Sequence, residues 1–184
     1  AVSGGKVEIR RYAADTYPTE GIIVATLDDQ LCRFLTVGDV DGDGTKEMVA
    51  ATNKSGLWLL RPQSDRWAKE LIDASSTGFE HASILLDLDK DGRDELYVAS
   101  DDQNEVRRYD WAADGWKHQV ILEYEDHLNR FTWNIMAVPT ALLPAVGVNI
   151  TDNDTDTTVI TTPEVEKEEE KKLAVPRGLI TNTD

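Results

Sequence analysis

With 184 residues, the chain is long enough to bury one core and carry a tail. Its formal net charge is −16, from 35 Asp and Glu against 19 Lys and Arg; this excludes nucleic acid as a partner, because phosphates would be repelled over the whole surface. No run is long and apolar enough to span a membrane, and a single cysteine, Cys32, rules out an intrachain disulfide.

Packing and bound ions must therefore hold the fold. Cys32 is expected to be a small buried hydrophobe, with pairing to another chain as the alternative. The start at Ala1 rather than Met is expected of a mature protein after signal removal, and equally of a trimmed chain.

From the N-terminus, Lys6-Val7-Glu8-Ile9-Arg10 alternates, and each strand of the repeat is expected to have one buried face. Phe34-Leu35-Thr36-Val37 and Met48-Val49-Ala50-Ala51-Thr52 read as two strands around the acidic stretch 39–47, and Gly56-Leu57-Trp58-Leu59-Leu60 as a third after the turn Asn53-Lys54-Ser55-Gly56. The same order returns with Ile84-Leu85-Leu86, the acidic stretch 87–95, Leu96-Tyr97-Val98-Ala99-Ser100, the turn Asp101-Asp102-Gln103-Asn104, and Glu105-Val106-Arg107-Arg108-Tyr109. Each unit closes on an Asp, an aromatic two residues later and an Ile five further on: Asp15-Tyr17-Ile22, Asp65-Trp67-Ile72 and Asp114-Trp116-Ile121. Self-similarity at this period marks a stacked or radial repeat, and an aromatic at one repeated position is expected to pack between units. A further unit opens at Arg130-Phe131-Thr132-Trp133-Asn134-Ile135, parallel to Arg33–Gly38, but Met136-Ala137-Val138-Pro139-Thr140 follows without a carboxylate. No helix is predicted before residue 163.

The two acidic stretches carry the chemistry. Asp39, Asp41, Asp43 and Glu47 stand at positions 1, 3, 5 and 9 of the first; Asp87, Asp89, Asp91 and Glu95 take the same positions in the second, and Gly44 and Gly92 hold position 6. Carboxylates two residues apart converge only if the chain curls around one point, and a glycine after the third Asp allows that turn. A hard cation such as Ca²⁺ takes about six to eight oxygens at adaptable geometry. The expected ligands are those eight carboxylates with the backbone carbonyls of Thr45 and Arg93 at position 7, giving two Ca²⁺ sites; Asp94 is expected to face solvent beside the second. An EF-hand is excluded, since it needs a Glu at position 12 and a helix on each side. Here position 12 is Ala50 or Val98, and strands flank both loops.

The pattern of strand, Asp-x-Asp-x-Asp-Gly-x-x-Glu and strand resembles the FG-GAP or VCBS-type repeat over roughly residues 1 to 135. That resemblance implies blades of an integrin-like β-propeller with Ca²⁺ between two strands of a blade, in an extracellular or cell-surface, non-enzymatic module. The expected fold is therefore all-β, with propeller-type blades over 1–136 and an extended segment over 137–184. About two and a half to three units are present, whereas closed propellers have about four to eight blades. Exposed strand edges then favour pairing with copies of the same chain, as an oligomer or filament.

Beyond residue 136, Leu142–Ile150 and Thr157–Thr161 are strand-prone, and Glu164–Lys172 is a charged run. The stretch 173–181 is apolar enough to add as a strand to a neighbour's sheet. Asn53, Asn149 and Asn153 each fit the N-glycosylation pattern. No metalloprotease, nucleophile-elbow or phosphate-cradling motif is present, and the three histidines lack metal spacing; His81 and His127 fall between units, where surface positions are expected. The function expected is a secreted or cell-surface Ca²⁺-binding structural repeat, with a lectin-like or adhesion module binding glycan or protein as the alternative.

Overall fold

The computed structural model describes residues 2–64, 66–124, 132–139 and 179–183. By packing, the chain divides into a unit of residues 1–135 with 181–184 and a second unit, 136–180. Of the second unit only 136–139 and 179–180 are described, so the strand-prone runs, the charged run and most of the apolar stretch predicted there lie outside the described residues.

Every long element is a strand, and no α-helix occurs among the described residues. The first sheet contains Val2–Ser3 (β1), Lys6–Arg11 (β2) and Ile22–Leu27 (β3) in that order. The second is a four-stranded meander of Cys32–Gly38 (β4), Glu47–Thr52 (β5), Leu57–Pro62 (β6) and Trp67–Asp73 (β7). The third repeats it with Ser83–Leu86 (β8), Glu95–Ser100 (β9), Glu105–Ala112 (β10) and Gly115–Glu123 (β11). Thr132–Ala137 (β12) and Leu179–Thr183 (β13) form a two-stranded sheet. All pairings in the first three sheets are antiparallel, and none of the sheets closes into a barrel. A four-stranded antiparallel meander repeated along the chain is the architecture of a propeller blade.

The sheets pack face to face through two apolar clusters. Val7, Ile9, Ala25 and Leu27 of the first sheet meet Ala50 and Leu60 of the second, with Met48, Trp58 and Trp67 partly buried against them. On the other face, Val49, Ala51, Leu57 and Leu59 meet Leu85, Leu96, Val98 and Tyr109 of the third. Alternate residues of β5 thus enter different cores, which explains its unbroken apolar run. Both β5 and β9 are buried on two faces, a correction to the expectation of one buried face per strand.

Repeat position predicts packing only partly. Trp67 packs in the cluster shared with the first sheet and Trp116 in the cluster shared with the second. Tyr17 is 73% exposed, because among the described residues no sheet precedes its own. Cys32 is partly buried at the edge of a core cluster, and burial pushes its thiol up to about 11. His81 was expected at the surface but is 1% exposed, enclosed by groups distant in sequence.

Candidate metal centres

Both acidic loops join the first two strands of a four-stranded sheet: 39–46 links β4 to β5, and 87–94 links β8 to β9. The backbone turns sharply at the same two positions in each. Position 4 has φ 75° at Gly42 and 64° at Lys90; position 6 has φ 85° at Gly44 and 91° at Gly92. This left-handed backbone curls each loop so that successive amides point inward.

The carboxylates hold those amides in both loops, with the first Asp taking positions 4 and 6 in loop one and positions 5 and 6 in loop two. Asp39 accepts from the N–H groups of Gly42 at 2.8 Å and Gly44 at 2.9 Å. Asp87 accepts from Asp91 at 3.1 Å and Gly92 at 3.0 Å. At position 5, Asp43 accepts from the Thr45 N–H at 2.6 Å and Asp91 from that of Arg93 at 2.9 Å. At position 9, Glu47 accepts from Val40 N–H at 3.2 Å and Glu95 from Leu88 N–H at 3.0 Å, which closes each loop at its base.

In the second loop Asp87, Asp89, Asp91 and Glu95 each offer an oxygen, all within 4.8 Å of one another. In the first, Asp39, Asp41 and Asp43 do so, without Glu47. The arginines beside the two loops also differ. Arg61 on β6 sends Nη1 to Asp41 Oδ2 at 2.5 Å and to Glu47 Oε1 at 3.3 Å. In the second loop Arg108 reaches Asp89 Oδ2 at 2.7 Å but stays 3.9 Å from Glu95 Oε1. Burial pushes the carboxyls of Glu47 and Glu95 above their ordinary range. Asp43 is held below it by the Thr45 N–H, and Asp91 by the side chain of Arg93.

Two acidic groups can therefore hold a metal ion. The side-chain donors are all carboxylate oxygens, which suits a hard cation and gives a zinc-type ion neither nitrogen nor sulfur. Thr45 and Arg93 stand at position 7, and the Arg93 side chain folds back on Asp91 at 2.5 Å. Asp94 is not turned out to solvent as expected; it is 19% exposed and binds the backbone of the other loop. Arg61, Arg108 and Asp94 carry no spacing signal, because each reaches its partner across paired strands or between sheets.

Elsewhere, His118 lies against the Tyr109 ring at 5.3 Å between centroids, and His127 lies outside the described residues. Asn53 is partly buried in the β5–β6 turn, with its N–H donating to Leu31 O and its carbonyl accepting from Gly78 N–H. Asn149 and Asn153 lie outside the described residues. No helix among the described residues is long and apolar enough to cross a membrane. The chain matches no protein-family model, no curated protein and no solved structure.

Proposed function

We propose that the chain is a Ca²⁺-binding β-repeat protein of the FG-GAP or VCBS type, secreted or cell-surface, with a structural rather than enzymatic role. The observation that carries this reading is the second loop, where four carboxylates from nine residues converge within 4.8 Å. Arg93 and Arg108 each pair with one of these carboxylates, and the negative charge that remains favours a bound cation. An all-oxygen set in an adaptable loop suits Ca²⁺ better than Mg²⁺, which demands near-ideal octahedral geometry and keeps its waters. The ion would cancel the repulsion and lock the β8–β9 turn, as a second ion would the β4–β5 turn.

Assembly with further copies of the chain, or with neighbouring blades, is the role this favours. Ile22 on β3 is 70% exposed and Val37 on β4 is 56% exposed, leaving apolar strand surface for another sheet to cover. Light scattering and negative-stain microscopy in Ca²⁺ and in EDTA test the proposal. Rings or fibres that dissociate in EDTA are the expected result; a compact monomer in both conditions would overturn the assembly role. Trp133, 40% exposed with the Arg33 guanidinium over its ring, supports a second reading, a module that stacks its other ring face on sugar; a tryptophan fluorescence response to simple sugars would favour it.

A further inference from the structure

The two acidic loops touch at two places. Asp39, the first carboxylate of loop one, donates its N–H to Oδ2 of Asp94 at 2.7 Å. Asp94, beside the last carboxylate of loop two, returns its own N–H to the Asp39 carbonyl oxygen, also at 2.7 Å. Lys46, next to Glu47, brings Nζ within 3.5 Å of the same Oδ2. Gly38 makes the approach possible: a Cβ there would stand 2.5 Å from Asp94 Oδ2 and 2.8 Å from Leu85 Cβ. At the tips, a Cβ on Gly42 would lie 3.0 Å from Arg93 Cγ and 3.4 Å from the Gly92 carbonyl oxygen.

We propose that the two loops bind their cations cooperatively, coupled through the reciprocal bonds between Asp39 and Asp94. The inference rests on the metal reading above. A cation that enters one loop must order that loop's backbone, and ordering costs conformational entropy. Asp39 belongs to both arrangements. Its carboxylate organises the Gly42 and Gly44 amides of loop one, while its own amide and carbonyl are held by loop two. An ion in loop two fixes Glu95 and with it Asp94, which holds Asp39 where loop one needs it. The second ion then finds part of its ordering already done, and by linkage the effect is the same in either direction. Charge does not oppose the second ion: loop one carries four carboxylates against Lys46, and loop two five against Lys90 and Arg93, so a divalent cation leaves neither loop net positive even with Arg61 or Arg108 beside it.

Calorimetric titration of Ca²⁺ into the Ca²⁺-free full chain tests the coupling. Two ions with a Hill coefficient above unity are expected for the wild type. Disabling loop two with Asp89→Asn and Asp91→Asn should weaken loop one about tenfold, within the usual range of coupling between sites. Asp94→Ala removes the side-chain acceptor but keeps the backbone bond to Asp39, so it should reduce the coupling, and the same loop-two changes should alter loop one less than in the wild type. Asp94→Asn, which keeps an oxygen to accept from Asp39, should restore the coupling. Two independent ions in the wild type would overturn the coupling and leave the metal reading standing; absence of any Ca²⁺ heat would remove both. If Asp94→Ala does not fold, the loop-two variant decides alone, since an unchanged affinity of loop one overturns the proposal.

Discussion

His81 points Nδ1 at the carbonyl oxygen of Thr52, 2.7 Å away, from a backbone held at φ 49°. A carbonyl only accepts, so the proton sits on Nδ1, and Nε2 accepts from Ser76 Oγ at 2.8 Å. Ser76 in turn lies 2.5 Å from Ser100 Oγ, and all three side chains are buried. The neutral ring thus joins β5, the segment before β8 and the end of β9.

A pH dependence follows from this site. Burial pushes His81 down to about 4 from 6.5. Between those values the unfolded chain binds a proton that the folded chain does not, so the contribution of His81 is complete above pH 6.5 and is lost as the pH falls toward 4. Asp101 acts with the opposite sign. Burial pushes it up to about 6 from 3.8, so the folded chain takes its proton first. Its cost at neutral pH is relieved as the pH falls from about 6 to 3.8. The two largely offset each other. Asp101→Asn removes the offset and should be more acid-sensitive than the wild type by about 2 kcal/mol across this window, after discounting for partial exposure. Urea unfolding at several pH values measures the difference; parallel curves for the two proteins would refute it.

Asp29 pins the turn between β5 and β6. Its Oδ1 accepts from the N–H groups of Gln30 at 2.6 Å and Leu31 at 3.2 Å; its Oδ2 accepts from those of Lys54 at 2.7 Å and Ser55 at 2.6 Å. Burial alone would raise its pKa, but the four amides outweigh burial and hold it below the ordinary value. Asp29→Ala leaves four amides without their acceptor and should cost about 3 kcal/mol, while Asp29→Asn, which keeps one carbonyl oxygen, should cost about half as much. Denaturant unfolding at neutral pH distinguishes these from a simple surface change, which would cost under about 0.5 kcal/mol.

Loop backbone gives a third test. Lys90 occupies a left-handed position that Gly42 fills in the first loop. Lys90→Gly should therefore stabilise the chain by about 0.5 kcal/mol, the relief of strain being partly offset by the freer unfolded chain. Gly92→Ala should cost about 1–2 kcal/mol. Nothing lies within 4 Å of a Cβ at Gly92, so the loss would report backbone strain alone. Equal stability of Gly92→Ala and wild type would show that this loop adopts another backbone.

What could be read from the residues was what depends on neighbours in sequence. The strands, the turns at Gly56 and Asn104, and both acidic loops follow from short-range patterns, and the left-handed φ values at Gly44 and Gly92 match the turn expected there. What could not be read depends on packing between sheets. His81 meets Thr52 from 29 positions away and Asp39 meets Asp94 from 55, and no spacing rule links residues that only sheet stacking brings together. Tyr17 shows the same limit from the other side. It occupies the repeat position of Trp67 and Trp116 yet is exposed, because burial requires a neighbouring sheet as well as a matching sequence.

The central claim, that Ca²⁺ locks these loops, is tested most directly by thermal unfolding in Ca²⁺ and in EDTA. At Ca²⁺ about a hundredfold above Kd, each site adds about 2.7 kcal/mol, which for a chain of this size raises the midpoint by roughly 5–10 °C per site. The account predicts such a rise in the wild type and its loss when Asp39→Asn and Asp87→Asn are combined. A wild-type midpoint that is the same in Ca²⁺ and in EDTA would contradict it.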